Sequence, residues 1–185
     1  MKKKIFSYQQ IILFVTSLSF SFYLLGYGNF NFSNQSWLIN GDLAQYQLGW
    51  KFYREDIWRF PLGLNPNYGI TNSSSIIYSD SIPLFAVFFK IFRSFLSEEF
   101  QYFSFWIFIC IYLQALFSFK IIYYFTKNIP YSLVSSLFFI FSTILIYRSG
   151  IHLSLTAHWL ILGYFYAQIS TADNKDLKKH LIIYL

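Results

Sequence analysis

The sequence predicts an all-α, polytopic membrane helical bundle with a long extracytoplasmic first loop, and three observations carry that reading. The 185 residues are 56% hydrophobic and 24% aromatic but only 12% charged, far from the balance of an ordinary globular domain. The apolar residues gather into separate runs of helix length, near 11–28, 82–96, 102–125, 131–147 and 157–171. One long stretch, 37–83, breaks the pattern and holds most groups capable of chemistry: Asp42, Lys51, Arg54, Glu55, Asp56, Arg59 and Asp80, set among Trp37, Trp50 and Trp58.

Taken in order, Met1 is followed by Lys2, Lys3 and Lys4 and then by the first apolar run. A basic start before an apolar run is also the pattern of a secretory signal, but no small-residue cleavage site follows. The run at 11–28 is therefore expected to be an uncleaved first span with its amino end in the cytoplasm. Residues 29–101 then form a large outer loop.

The run at 82–96 covers roughly 22 Å as a helix against a hydrocarbon core of about 30 Å. It carries Lys90 and Arg93, each costly at a helix centre. Helical spacing puts Lys90, Arg93, Ser94 and Ser97 opposite Phe85, Phe88, Phe89 and Phe92, so an interfacial helix is expected rather than a crossing. Asp80 or Ser81 is expected to cap it, with Pro83 in its first turn. Charge sidedness agrees. With 82–96 lying on the surface, Lys2, Lys3, Lys4, Lys120, Lys127, Lys175, Lys178 and Lys179 fall inside against Asp173 and Asp176, while the outer charges cancel. The net charge of +6 then sits on the cytoplasmic side, as the positive-inside tendency requires. Four spans follow: 11–28 outward, 102–125 inward, 131–147 outward and 157–171 inward. Residues 102–185 thus hold spans two to four and the start of a fifth near His180, cut short in a way expected of the front part of a larger protein.

The lone cysteine, Cys110, excludes an intramolecular disulfide and a cysteine-ligated metal centre. Basic residues that are juxtamembrane and form no patch argue against nucleic-acid binding. Gln114, mid-span, is expected to hydrogen-bond between helices. Tyr123 and Tyr124, beside Lys120 and Lys127, read as an interface belt, and 54–59 reads as a solvated amphipathic turn or, through its Trp, as one anchored in the headgroups.

Asp42, Asp80, Arg148, His152 and His158 all fall on or near the outer face of this topology, where ionisable groups at span ends facing one cavity are functional candidates. Each has a plainer reading: Asp42 as an Asx-turn residue after Asn40-Gly41, Asp80 as a helix cap, Arg148 as a side chain snorkelling to headgroups. Asp42 with His152 and His158 makes a donor set for a divalent metal, although the spacing matches no standard zinc motif. A transporter would more often carry charges or Gly/Pro breaks near mid-span, where these spans carry little beyond Gln114 and scattered Ser and Thr. A non-enzymatic accessory subunit or an inactive fragment is the alternative class.

The order of an amino-terminal span, a long outer loop opening with Gly41-Asp42, an amphipathic helix, two spans and a polar motif at an outer span end resembles the front half of the GT-C superfamily of integral-membrane glycosyltransferases. The phrases 58–63 (WRFPLG), 65–69 (NPNYG), 78–83 (YSDSIP), 148–152 (RSGIH) and 157–159 (AHW) are similar to a bacterial membrane-protein family of unassigned function related to it. The resemblance implies a bacterial plasma-membrane protein that takes a sugar from a polyprenyl phosphate carrier in the membrane lipid and passes it to a glycan, lipid or protein acceptor. It places Asp42 as catalytic base or metal ligand, with Mg or Mn as the implied ion. Arg148, Arg54 or Arg59 would neutralise the donor phosphate, and Trp37, Trp50 and Trp58 would stack on sugar faces. The 148–158 stretch has histidine where the superfamily often has an acidic residue.

Overall fold

A computed structural model describes residues 8–69 and 74–172. Seven α-helices occur among them: α1 (Tyr8–Leu25), α2 (Gly41–Glu55), α3 (Pro83–Ile91), α4 (Phe103–Thr126), α5 (Ile129–Ile140), α6 (Thr143–Ile151) and α7 (Trp159–Ala172). A two-residue antiparallel ribbon pairs β1 (Leu64–Asn65) with β2 (Ser74–Ser75). The lysines at 2–4 and 175–179 and the run beginning near His180 lie outside the described residues.

Among the described residues α1 and α4 are long and apolar enough to cross a membrane. The expected span at 131–147 is instead α5 and α6, which pass together but meet at a bend of 46°. The break has a local cause. The Ser142 hydroxyl accepts from the Leu145 amide (3.4 Å), offering the backbone a partner outside the helical ladder, as serine does at helix starts. In the run expected at 157–171 the described residues hold α7, Trp159–Ala172, which reaches the end of the described stretch.

The chain divides into two compact units. One comprises α1 up to Ser21, α4 from Phe108, α5, the start of α6, and α7. It packs through aromatic edges: Phe14 meets Phe108 at 5.3 Å and Phe20 meets Phe141 at 4.8 Å. Phe117 stacks on Trp159 at 6.2 Å. α7 comes close because Gly163 has no side chain, a Cβ there lying 3.3 Å from the Phe117 ring. Buried Ser118 and Ser132 return their hydroxyls to Gln114 O (2.7 Å) and Asn128 O (2.6 Å), so the polar atoms of these small residues are satisfied within their own helices. Gln114 is buried, and its side-chain Oε1 has no hydrogen-bond partner among the described residues. Lys120 folds over the Tyr166 ring at 5.1 Å and Lys127 over Tyr124 at 4.8 Å.

The other unit, residues 22–107 with 147–156, is organised around α2, where the sequence reading has a loop. Its inward residues Tyr46, Trp50, Tyr53 and Arg54 recur at i, i+4, i+7 and i+8, a helical face. Trp50 is 1% exposed and its indole donates to Phe100 O at 3.0 Å, so it is unavailable to a sugar. Tyr53 donates its hydroxyl to Leu62 O, tying down the loop ahead of the ribbon. Gly49 matters most. A Cβ at this position would lie 2.1 Å from Ser79 Oγ and 2.5 Å from Ser81 Oγ, so only glycine lets the turn at 79–81 reach the helix backbone. With the approach made, Ser81 Oγ donates to Tyr46 O (2.7 Å) and Asn65 Nδ2 to Gly49 O (2.9 Å).

The helix expected at 82–96 is shorter. α3 ends at Ile91 and a 3-10 turn, Arg93–Phe95, follows. Pro83 sits in the first turn, but the residue before it, Ile82, has φ 51° and no side-chain cap. Asp80, with φ 54°, is exposed, and Ser81 spends its hydroxyl on α2. The basic face looks inward: Lys90 is 1% exposed, whereas Phe88 is 52% and Phe95 89% exposed. Phe85, on the flank, packs edge-on to Trp106 at 5.3 Å and against Phe105 at 6.1 Å, which seats α3 on the first turns of α4. Replacing Gly49 by alanine is expected to destabilise the protein by about 1–3 kcal/mol, the range for overpacking, and thermal unfolding in detergent checks it.

Candidate functional site

Asp42 lies in the first turn of α2, after Asn40 in extended conformation and Gly41 at φ 58°. Its short helical start thus requires glycine before it, and the unpaired amides of that turn favour an anion. His152 follows the last residue of α6, its amide bonded to Arg148 O at 2.9 Å. The chain then enters a 3-10 turn, Leu153–Thr156. This turn is held from outside: the Trp106 indole donates to Leu153 O at 2.8 Å, and Thr156 Oγ1 donates to the same oxygen at 2.6 Å. Held this way, His152 Nδ1 comes to 3.5 Å from Asp42 Oδ2.

Two residues that the sequence reading passed over complete the group. The Tyr46 hydroxyl, one turn along α2 from Asp42, stands 3.4 Å from Ser154 Oγ. Burial raises the Tyr46 pKa, and the Asp80 and Asp42 carboxylates push it the same way against the lowering effect of Ser154. Asp80, exposed on the 79–81 turn, is thus near enough for its charge to act on the same tyrosine. Spacing gave a signal for Tyr46, which is i+4 from Asp42; Ser154 gave none. Asp42 and His152 remain accessible, with side chains 57% and 34% exposed, as groups that meet a substrate must be.

The other candidates are placed differently. Arg148 is half-buried, one turn before His152, its guanidinium 6.0 Å from the Tyr147 ring centre. His158 belongs to the first unit, where its carbonyl accepts from Ile161 (3.0 Å) at the start of α7. Among the described residues no three His, Cys, Asp or Glu side chains form a group able to hold a metal ion. The residues present, a lone Asp–His pair, do not fit a protein-held divalent ion, and no step below uses one.

Arg54 and Arg59 are corrected as phosphate ligands. Arg54 is buried, and its guanidinium donates to the carbonyls of Arg93, Leu96, Ser97 and Glu98, ending the 3-10 turn after α3. Arg93 reciprocates, donating to Arg54 O and Asp56 O at the end of α2. Arg59 grips the buried Asp56 carboxylate with two bonds, 2.7 and 3.1 Å. The Arg59 hydrogen bond, the largest cause, lowers the Asp56 pKa. Within this 54–59 joint, Arg54 and Asp56 are buried, whereas Glu55, Ile57, Trp58 and Arg59 are exposed. Trp58 lies 5.0 Å from Lys90 Nζ and Tyr53 lies 4.0 Å from it, a cage closed by Ile57 O at 3.1 Å.

A model of a domain of unknown function, DUF6311, matches residues 14–185, nearly the whole chain and all of this geometry. The chain belongs to the DUF6311 family. No curated protein and no solved structure matches it. In this DUF6311 chain the Asp42–His152 pair joins two motifs more than a hundred residues apart.

Lys90 supplies a pH test of the joint. Burial, the largest cause, lowers its pKa from 10.5 to about 8. Between those values the unfolded chain holds a proton that the folded chain has released, so stability rises with pH across that window. Unfolding measured from pH 8 to 10 is expected to show this rise, and the Lys90→Met variant is expected to lack it.

Proposed function

We propose that this DUF6311 chain is a membrane glycosyltransferase of the GT-C kind, transferring a sugar from a polyprenyl phosphate donor to an acceptor hydroxyl on the extracytoplasmic face. The observation that carries the reading is the 3.5 Å approach of His152 to Asp42, which pairs the two motifs on which the resemblance rests. The proposal includes the topology that the charges favour: the amino end in the cytoplasm, four crossings with the bent α5–α6 pair as the third, and the site outside.

Transfer requires a base for the acceptor and a cation for the leaving phosphate. Asp42 takes the proton as the acceptor oxygen attacks the anomeric carbon. The bond from that carbon to the phosphate oxygen breaks, and the electron pair leaves with the lipid phosphate. His152, ring nitrogen toward Asp42, orients the carboxylate. Arg148, one turn before His152, is the cation on this element for the departing phosphate. Tyr46 and Asp80 border the acceptor position, where their hydroxyl and carboxylate suit sugar hydroxyls.

Membranes carrying the protein, given a radiolabelled polyprenyl phosphate sugar, test this. The Asp42→Asn variant is expected to lose transfer by at least about 100-fold, the usual contribution of a general base, while remaining inserted and folded. His152→Gln is expected to lose less, with an altered pH profile. Full transfer by Asp42→Asn removes the base and with it the mechanism.

A further inference from the structure

The second unit carries an apolar surface that the sugar-transfer reading does not use. The outward side of α3 and the turn after it present Phe88 (52% exposed), Ile91 (62%) and Phe95 (89%). The neighbouring loop presents Ile57 (61%), Trp58 (44%) and Phe60 (91%). The two segments are joined by four contacts: Lys90 to Ile57 O, Lys90 over the Trp58 ring, and Arg93 to both Arg54 O and Asp56 O.

Those contacts change the character of the surface. On a helix lying at the edge of a water-soluble domain, Lys90 and Arg93 would point out and the phenylalanines in. Here Lys90 is caged by rings and a carbonyl, and Arg93 is bound to main-chain oxygens. Lys90 is drawn inside while Phe88, Ile91, Phe92 and Phe95 face out and Phe85 and Phe89 pack inward on Trp106 and Tyr102, an arrangement that suits an apolar medium. The setting supplies that medium. The unit contains the last turn of α1 and the first turns of α4, the two helices with the length and hydropathy of membrane spans. Phe85 rests on Phe105 and Trp106 in those first turns of α4, so the exposed face lies at a span's end, where a bilayer changes from acyl chain to headgroup. Trp58 suits that depth, with an apolar ring system and one polar N–H.

We propose that the outer side of α3 and the 57–60 loop together form one monotopic face that lies in the phospholipid leaflet. The occupant is lipid and not a second protein. The loop is an equal part of the face. The proposal stands whether or not the site transfers sugar.

The full chain in nanodiscs of phosphatidylcholine and phosphatidylglycerol provides the test. Nitroxide labels are placed singly at F60C, F88C and F95C in a Cys110→Ala background, with Glu55→Cys and Glu98→Cys as controls at exposed charged positions. Labels at 60, 88 and 95 are expected to collide several-fold more with oxygen, which concentrates in lipid, than with a water-soluble nickel chelate; the two controls are expected to show the reverse. Nickel-favoured collisions at position 60 or 88 overturn the single face. Low collision with both reagents at these positions also overturns it, because it reports a protein partner covering the patch.

Discussion

The absence of a side chain at Gly49 is the constraint on which the second unit depends. Because nothing projects from α2 at that point, the 79–81 turn lies against the helix backbone, and Ser79 and Ser81 are fully buried there. Ser81 and Asn65 then hydrogen-bond carbonyls of α2 that already serve the helix ladder, a second use of lone pairs that backbone oxygens allow. Asp80, between two buried serines, has no inward direction left and points to solvent beside Tyr46. The gathering of carboxylates around the Tyr46 hydroxyl is thus a consequence of packing one turn against one helix.

A second theme is the economy of positive charge. Arg54, Lys90 and Arg93 lie behind an aromatic surface, and their partners are main-chain oxygens and rings more than carboxylates. A guanidinium has five donors and can satisfy several carbonyls at once, which suits the ends of helices whose last carbonyls lack partners. Asp56 is the buried carboxylate in this joint, and Arg59 holds it from the exposed side. Arginines that look free for a phosphate in the sequence are consumed by structure, and Arg148 alone among the three retains that proposed role.

What the sequence disclosed follows from which forces leave a linear trace. α1 and α4 were legible because length and hydropathy are linear properties. Asp42, Asp80 and His152 were legible as polar groups in recurring phrases, and the structure brings Asp42 and His152 together. α2 was hidden because its buried face, Tyr46, Trp50, Tyr53 and Arg54, is interleaved with glycine and charge and reads as loop. The faces read for 82–96 hold only in part: Lys90 is buried and Phe88 exposed, but Phe85 and Phe89 pack on Trp106 and Tyr102 while Ser94 and Ser97 are exposed, since periodicity tells which residues share a side and not what that side meets. Arg54 was misread because its partners are carbonyls, which no sequence pattern marks. The break between α5 and α6 rests on one serine hydroxyl, a signal too small to read among so many serines.

The exchange between Arg54 and Arg93 has a further consequence. Each guanidinium closes the end of the segment that carries the other, so neither end can fray without withdrawing the group that seals its counterpart. The carboxy-terminal turns of α2 and the 93–95 segment therefore open as one event. In deuterium uptake their slowly exchanging amides are expected to share a single opening free energy, although some forty positions separate them along the chain and each helix alone would loosen from its tip inward.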